Sequence, residues 1–172
     1  GFIAKRMGLP IDKLIVATNQ NDILHRCLTQ GAYKTSGVLP SISPSMDIQV
    51  SSNFERLLFE AYGRDGAAVS GLMAALKAEG GFSLSQGVLE MLQRDFQSGR
   101  CSEEQTRAQI EQTLKGSGEL LCPHSAIGVH VAEQQIQPET PMITLATAHP
   151  AKFPDAVQSA TGLRPDLPPH MA

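Results

Sequence analysis

The sequence predicts an α/β fold built on a parallel sheet with a helical insertion. Two observations predict the sheet. Leu14-Ile-Val-Ala-Thr18 is a continuous apolar run of strand length followed by a polar turn and a helical pattern. The same order returns after residue 118, at Leu120-Leu-Cys122 and again at Met142-Ile-Thr-Leu-Ala-Thr147. A third observation predicts the insertion, because helical patterns follow one another through residues 65–118. The expected organisation is therefore an α/β part over 1–64, a helical subdomain over 65–118, and an α/β return with a proline-rich tail over 119–172.

Each element has a local cause. The opening Gly1-Phe-Ile-Ala-Lys-Arg-Met-Gly8 has the finish of a helix, with Lys5 and Arg6 at a negative dipole end and Gly8 as the cap, but no start. It predicts a piece of a longer polypeptide. Leu14 to Thr18 reads as a strand covered on both faces, and Asp22 as the cap of a helix to Gln30 that buries Ile23, Leu24, Cys27 and Leu28. Residues 31–39 read as a loop. Ser43-Pro44-Ser45 is a turn, Asp47 to Val50 a short extended piece, and Ser52 with Glu55 a capping box for a helix from Asn53 to Tyr62, closed by Gly63.

Helices are expected over Ala67 to Ala78 and Ser85 to Gln97, and from the second capping box, Ser102 with Gln105, to Lys115. Pro123 suits the first turn of a helix reaching Gln134. A last short helix runs from Asp155 to Thr161 and stops at Gly162.

Composition bounds the function. A chain of 172 residues with 41% hydrophobic and 18% charged residues has the make-up of a folded domain with a core. A net charge of -3, with its 14 Lys and Arg scattered, supplies no field for a nucleic-acid backbone. No apolar run approaches the roughly 20 residues that span a bilayer, so neither nucleic acid nor membrane is an expected partner. Cys27, Cys101 and Cys122 lack C-x-x-C spacing, which argues against a disulfide framework or structural zinc and is compatible with a reducing cytoplasm.

Ser125 is the first candidate for chemistry. It follows a predicted strand in the first turn of a helix, at the carboxyl edge of the sheet where open α/β folds hold ligands, and it can equally serve as a helix cap. His149 and Lys152 stand at a strand end where an anion could be met, or satisfy backbone groups and lie at the surface. Asn19, Asn21 and Asp22, and Ser43, Ser45 and Asp47, fit either pocket-shaping or turn chemistry. His25, His130 and His170 make no metal-ligand spacing, so no metal is expected. No glycine cluster follows a predicted strand to cradle a phosphate.

Five passages together resemble the threonine synthases, enzymes of the fold-type II pyridoxal-phosphate family. They are Phe2-Ile-Ala-Lys-Arg-Met-Gly-Leu-Pro10, Ala17-Thr-Asn-Gln-Asn-Asp-Ile-Leu-His25, the stretch from Ser43 to Phe59, Cys122-Pro-His-Ser-Ala-Ile-Gly128, and Thr147-Ala-His-Pro-Ala-Lys-Phe153. The resemblance is to the carboxyl-terminal part. It implies a lyase of threonine biosynthesis that takes O-phosphohomoserine, with loss of phosphate from the γ-carbon and addition of water at the β-carbon. The implied cofactor is pyridoxal 5'-phosphate and the implied compartment the cytoplasm.

In the family pattern Asp-Pro-His-Thr-Ala-x-Gly the hydroxyl residue meets the cofactor's pyridine nitrogen, and the matching residue here is Ser125. Cys122 departs from that pattern's Asp. The family's cofactor-bearing lysine and its Gly-Asn-Phe loop have no match in this chain. The missing amino-terminal part of the enzyme is thus an implied partner, and the fragment alone is expected to be inactive. A non-catalytic α/β binding module, or a related phospho-lyase on the same fold, remains as an alternative.

Overall fold

The computed structural model describes residues 1–169, so His170 lies outside the described residues. The order is α1 (Phe2–Arg6), β1 (Leu14–Thr18), α2 (Ile23–Gln30), β2 (Ala32–Lys34), α3 (Ser52–Ala61), α4 (Gly66–Glu79), β3 (Gly81–Ser83), α5 (Gln86–Asp95), β4 (Phe96–Arg100), α6 (Glu103–Ser117), α7 (Pro123–Glu133) and α8 (Pro154–Thr161), with 3-10 turns at Pro44–Met46 and Pro150–Lys152. The fold is α/β, as expected.

Two strand pairs form. β1 pairs with β4. Lys13 reaches the carbonyls of Gln93 and Arg94 just before both strands begin, and the Cys101 N–H donates to the Thr18 carbonyl at 2.9 Å at the other end. Those ends match start to start, so the pair is parallel. β2 and β3 are antiparallel, with Tyr33 opposite Phe82. A Cβ on Gly81 would come within 2.7 Å of the Tyr33 carbonyl, so this close approach requires glycine.

The chain forms two compact units, one of residues 1–16, 22–38 and 48–99, the other of residues 17–21, 39–47 and 100–172. This differs from the three-part division expected from the sequence. The span 65–118 is rich in helix, yet it contains β3 and β4. The helical pattern of Val88, Leu89, Leu92 and Phe96 conceals the change, because Phe96 is buried as the first residue of a strand rather than as the last turn of a helix.

The first unit is built around Ile23, Leu28, Tyr33, Phe54, Leu58, Leu89 and Leu92, each fully buried apolar side chain contributing about 1.5–3 kcal/mol. Tyr33 stacks on Phe82 at 4.8 Å and on Phe54 at 5.5 Å. Its hydroxyl accepts the Ser51 N–H at 2.9 Å. The expected capping box at Ser52 and Glu55 does not form, because α3 starts one residue earlier, with Ser51 as its N-cap and no side-chain capping bond. Asp22 likewise heads α2 without a capping bond, its carboxylate pairing with Arg26 at 2.9 Å instead.

In the second unit α6 packs on α7 and α8. The Ser102 and Gln105 capping box forms as read. Three extended passages expected as strand or strand-like pieces behave differently. Asp47 to Val50, Leu120 to Cys122 and Met142 to Thr147 join no ladder among the described residues, and Ile143 and Leu145 are 79% and 75% exposed. A strand exists only with a hydrogen-bonded neighbour, and none pairs with them here. β1, too, is only half-buried except at Thr18, since β4 is its sole sheet neighbour among the described residues.

Candidate functional site

The residues of the site all belong to the second unit. Pro123 opens α7 with its fixed φ, and Cys122 caps it, the sulfur accepting the Ser125 N–H at 3.4 Å. A thiol thus performs the capping usually given to Asp, Ser or Thr. Ser125 is 4% exposed in the first turn. Its hydroxyl accepts the Thr147 N–H at 3.0 Å and lies 3.3 Å from both the Cys122 sulfur and the Thr147 hydroxyl.

Gly128 lets the segment after residue 142 lie close, since a Cβ there would meet Thr144 at 3.0 Å. Cys122, Ser125, Thr147 and His149 line one open cleft of ≈ 680 Å³, with Glu119 and Asp166 also on its wall. The cleft therefore offers a hydroxyl at a helix N-terminus, the place where unpaired backbone donors face outward.

Burial pushes the Cys122 thiol up. Hydrogen bonds from the Ser125 hydroxyl and N–H, from Thr147 and from the Ala148 backbone oppose it and together bring the thiol below its ordinary value.

His124 was not singled out by the sequence, though it is 7% exposed and central. Its Nε2 accepts the Ser45 N–H at 3.2 Å, which leaves the proton on Nδ1. That Nδ1 is buried with no hydrogen-bond partner among the described residues. The ring packs against Phe153 at 4.6 Å, and Lys152 stands 5.9 Å from the same Phe153 ring. Burial, then the Lys152 charge, lower the His124 pKa, with Asp47 opposing.

Asn19, Asn21, Ser43 and Asp47 come together, joined by Ser41, which the sequence did not mark. Asn19 Nδ2 donates to Asp47 at 2.7 Å and lies 2.9 Å from the hydroxyls of Ser41 and Ser43. Asn21 Nδ2 donates to Asp47 at 2.9 Å. These are the buried bonds of a loop scaffold. His149 uses Nδ1 to accept the Ala151 N–H at 3.2 Å and so caps a 3-10 turn. The described histidines outside the site have local partners, His25 at Ser98 and His130 at Gln134.

A family model described as "Threonine synthase, C-terminal" matches residues 125–172. The threonine synthase of Pseudomonas aeruginosa is 50% identical over 174 residues, covering 100% of this chain and 37% of that protein. The chain belongs to the threonine synthase family. The Saccharomyces cerevisiae threonine synthase is 43% identical over 178 residues, across 93% of this chain and 35% of that one. The crystal structure of a PLP-bound threonine synthase from Brucella melitensis superposes with a TM-score of 0.96 at 58% identity, over 99% of this chain and 37% of that chain. The chain thus spans a little over a third of the threonine synthases it matches.

Proposed function

We propose that this chain is the carboxyl-terminal part of a threonine synthase that converts O-phospho-L-homoserine and water to L-threonine and phosphate. The observation that carries the reading is the Ser125 hydroxyl, held by Thr147 and Cys122 in the first turn of α7 on the wall of an open cleft. The Brucella relative's bound PLP supports a pyridoxal 5'-phosphate cofactor here. The donor set fits that group, because a small neutral hydroxyl can bond a pyridine nitrogen without imposing a charge on it. When bound, the cofactor supplies the electron sink for carbanion chemistry at the amino acid.

This chain's residues bind and orient. Ser125 meets the ring nitrogen, and the Thr147 N–H fixes the serine oxygen. The lysine that carries the cofactor and the loop that holds its phosphate are supplied by the amino-terminal part of the enzyme. The coverage of little more than a third of each relative supports that division of labour. Among the described residues no helix is long and apolar enough to cross a membrane, and Cys27, Cys101 and Cys122 are all free. We place the enzyme in the cytoplasm on the latter ground.

The test is phosphate release from O-phosphohomoserine with stoichiometric threonine, assayed for the full polypeptide and for this chain alone. Turnover by the full polypeptide and none by the chain is expected. Absence of turnover in a folded, cofactor-loaded full polypeptide would overturn the reading, as would turnover by the chain alone.

A further inference from the structure

A hydroxyl has one proton and two acceptor positions. At Ser125 the Thr147 N–H occupies one position. Two other groups crowd the same oxygen at 3.3 Å, the Cys122 sulfur and the Thr147 hydroxyl, which are themselves 3.6 Å apart. The direction of the serine proton therefore depends on its neighbours. If Ser125 donates to the sulfur or to Thr147, it has no proton left for a group in the cleft.

Cys122 is well placed to decide the matter. It is wholly buried, so its S–H has no water to address. Its sulfur already accepts the Ser125 N–H at 3.4 Å. What remains is the S–H proton, with the oxygens of Ser125 and Thr147 in reach. Thr147 is exposed and can be satisfied by solvent, whereas Ser125 is buried.

We infer that Cys122 is a positioning residue, whose thiol donates to the Ser125 oxygen and so turns the serine proton outward, into the cleft. The inference rests on the proposed meeting of Ser125 with the cofactor's ring nitrogen. A thiolate reverses the arrangement. It can only accept, so it draws the serine proton inward and away from the nitrogen. The hydrogen bonds that favour the thiolate bring this reversal to lower pH than for an ordinary cysteine. Glu119, His149 and Asp166 are the other titratable groups on the cleft wall, and each stays in place in the variants below.

The experiment is a pyridoxal-phosphate titration of the full polypeptide, followed by absorbance between pH 6.5 and 10. The variants are Cys122→Ala, Cys122→Ser, Ser125→Ala and the Cys122→Ala/Ser125→Ala double, with melting of the cofactor-free proteins confirming that each folds. Cys122→Ala should weaken binding about fivefold, as for one ordinary hydrogen bond. The double variant should bind no more weakly than Ser125→Ala alone. Cys122→Ser, which donates but does not ionise, should retain affinity and lose the alkaline fall in binding seen in the parent.

Additive losses in the double variant, an alkaline fall that persists in Cys122→Ser, or parental binding by Cys122→Ala beside a weakened Ser125→Ala would overturn this inference alone. Parental binding by Ser125→Ala would overturn the reading of Ser125 and this inference with it.

Discussion

The Ser125 hydroxyl accepts the Thr147 backbone N–H at 3.0 Å, tying the extended segment before His149 to the first turn of α7. Removing that acceptor orphans a part-buried donor, at a cost of about 1–3 kcal/mol. Ser125→Ala should therefore lower the urea midpoint of unfolding, while Ser125→Thr, which keeps the oxygen, should lie close to the parent.

Acid should weaken the fold through His124. Its pKa is lowered from the ordinary 6.5, so the unfolded chain binds this proton more readily than the folded one. The stability this imidazole protects is complete above about pH 6.5 and falls away as the pH drops through the lower folded value. Denaturation followed from pH 7.5 to 5 should show stability declining on the acid side. In His124→Asn that portion of the slope should disappear.

The loop scaffold depends on Asn19 and Asp47. Asn19→Ala leaves Asp47 and the Ser43 hydroxyl short of a donor in a buried network, and should cost about 2–3 kcal/mol by chemical denaturation. Gln20, whose amide bonds only carbonyls near the surface, should tolerate alanine within about 0.5 kcal/mol.

The three cysteines should differ in reactivity. Burial pushes the Cys27 thiol up to about 12 against a small opposing effect of Arg26, and burial also raises Cys101. Cys122 is equally buried, but its thiol pKa is lowered and it stands directly behind the wall of the cleft, so local opening exposes it first. Timed iodoacetamide labelling with mass spectrometry should find Cys122 modified first and Cys27 last. Prior modification of Cys27 would contradict the ordering.

Elements whose cause is local were legible in the sequence. The Ser102 and Gln105 box, the Gly162 stop and the Pro123 start all form where the residues place them. Elements that depend on a distant partner were not. β2 and β3 are three residues each and exist through pairing across the sequence, and β4 continues the apolar spacing of α5. Leu120 to Cys122 and Met142 to Thr147 have strand-like composition, but strands are made by neighbours. At the site, the motif around Ser125 was readable, and so was its junction with a helix. Thr147 as its partner and the orphaned His124 Nδ1 were not, since both follow from a fold that places residues 22 or 79 positions apart within hydrogen-bond distance.

The proposed contact between Ser125 and the cofactor ring is most directly tested by pyridoxal-phosphate affinity and absorbance in the full polypeptide. Ser125→Ala should bind about fivefold to tenfold more weakly than the parent, with a shifted absorbance, and Ser125→Thr within about twofold. Equal affinity and an identical spectrum for Ser125→Ala would contradict the account.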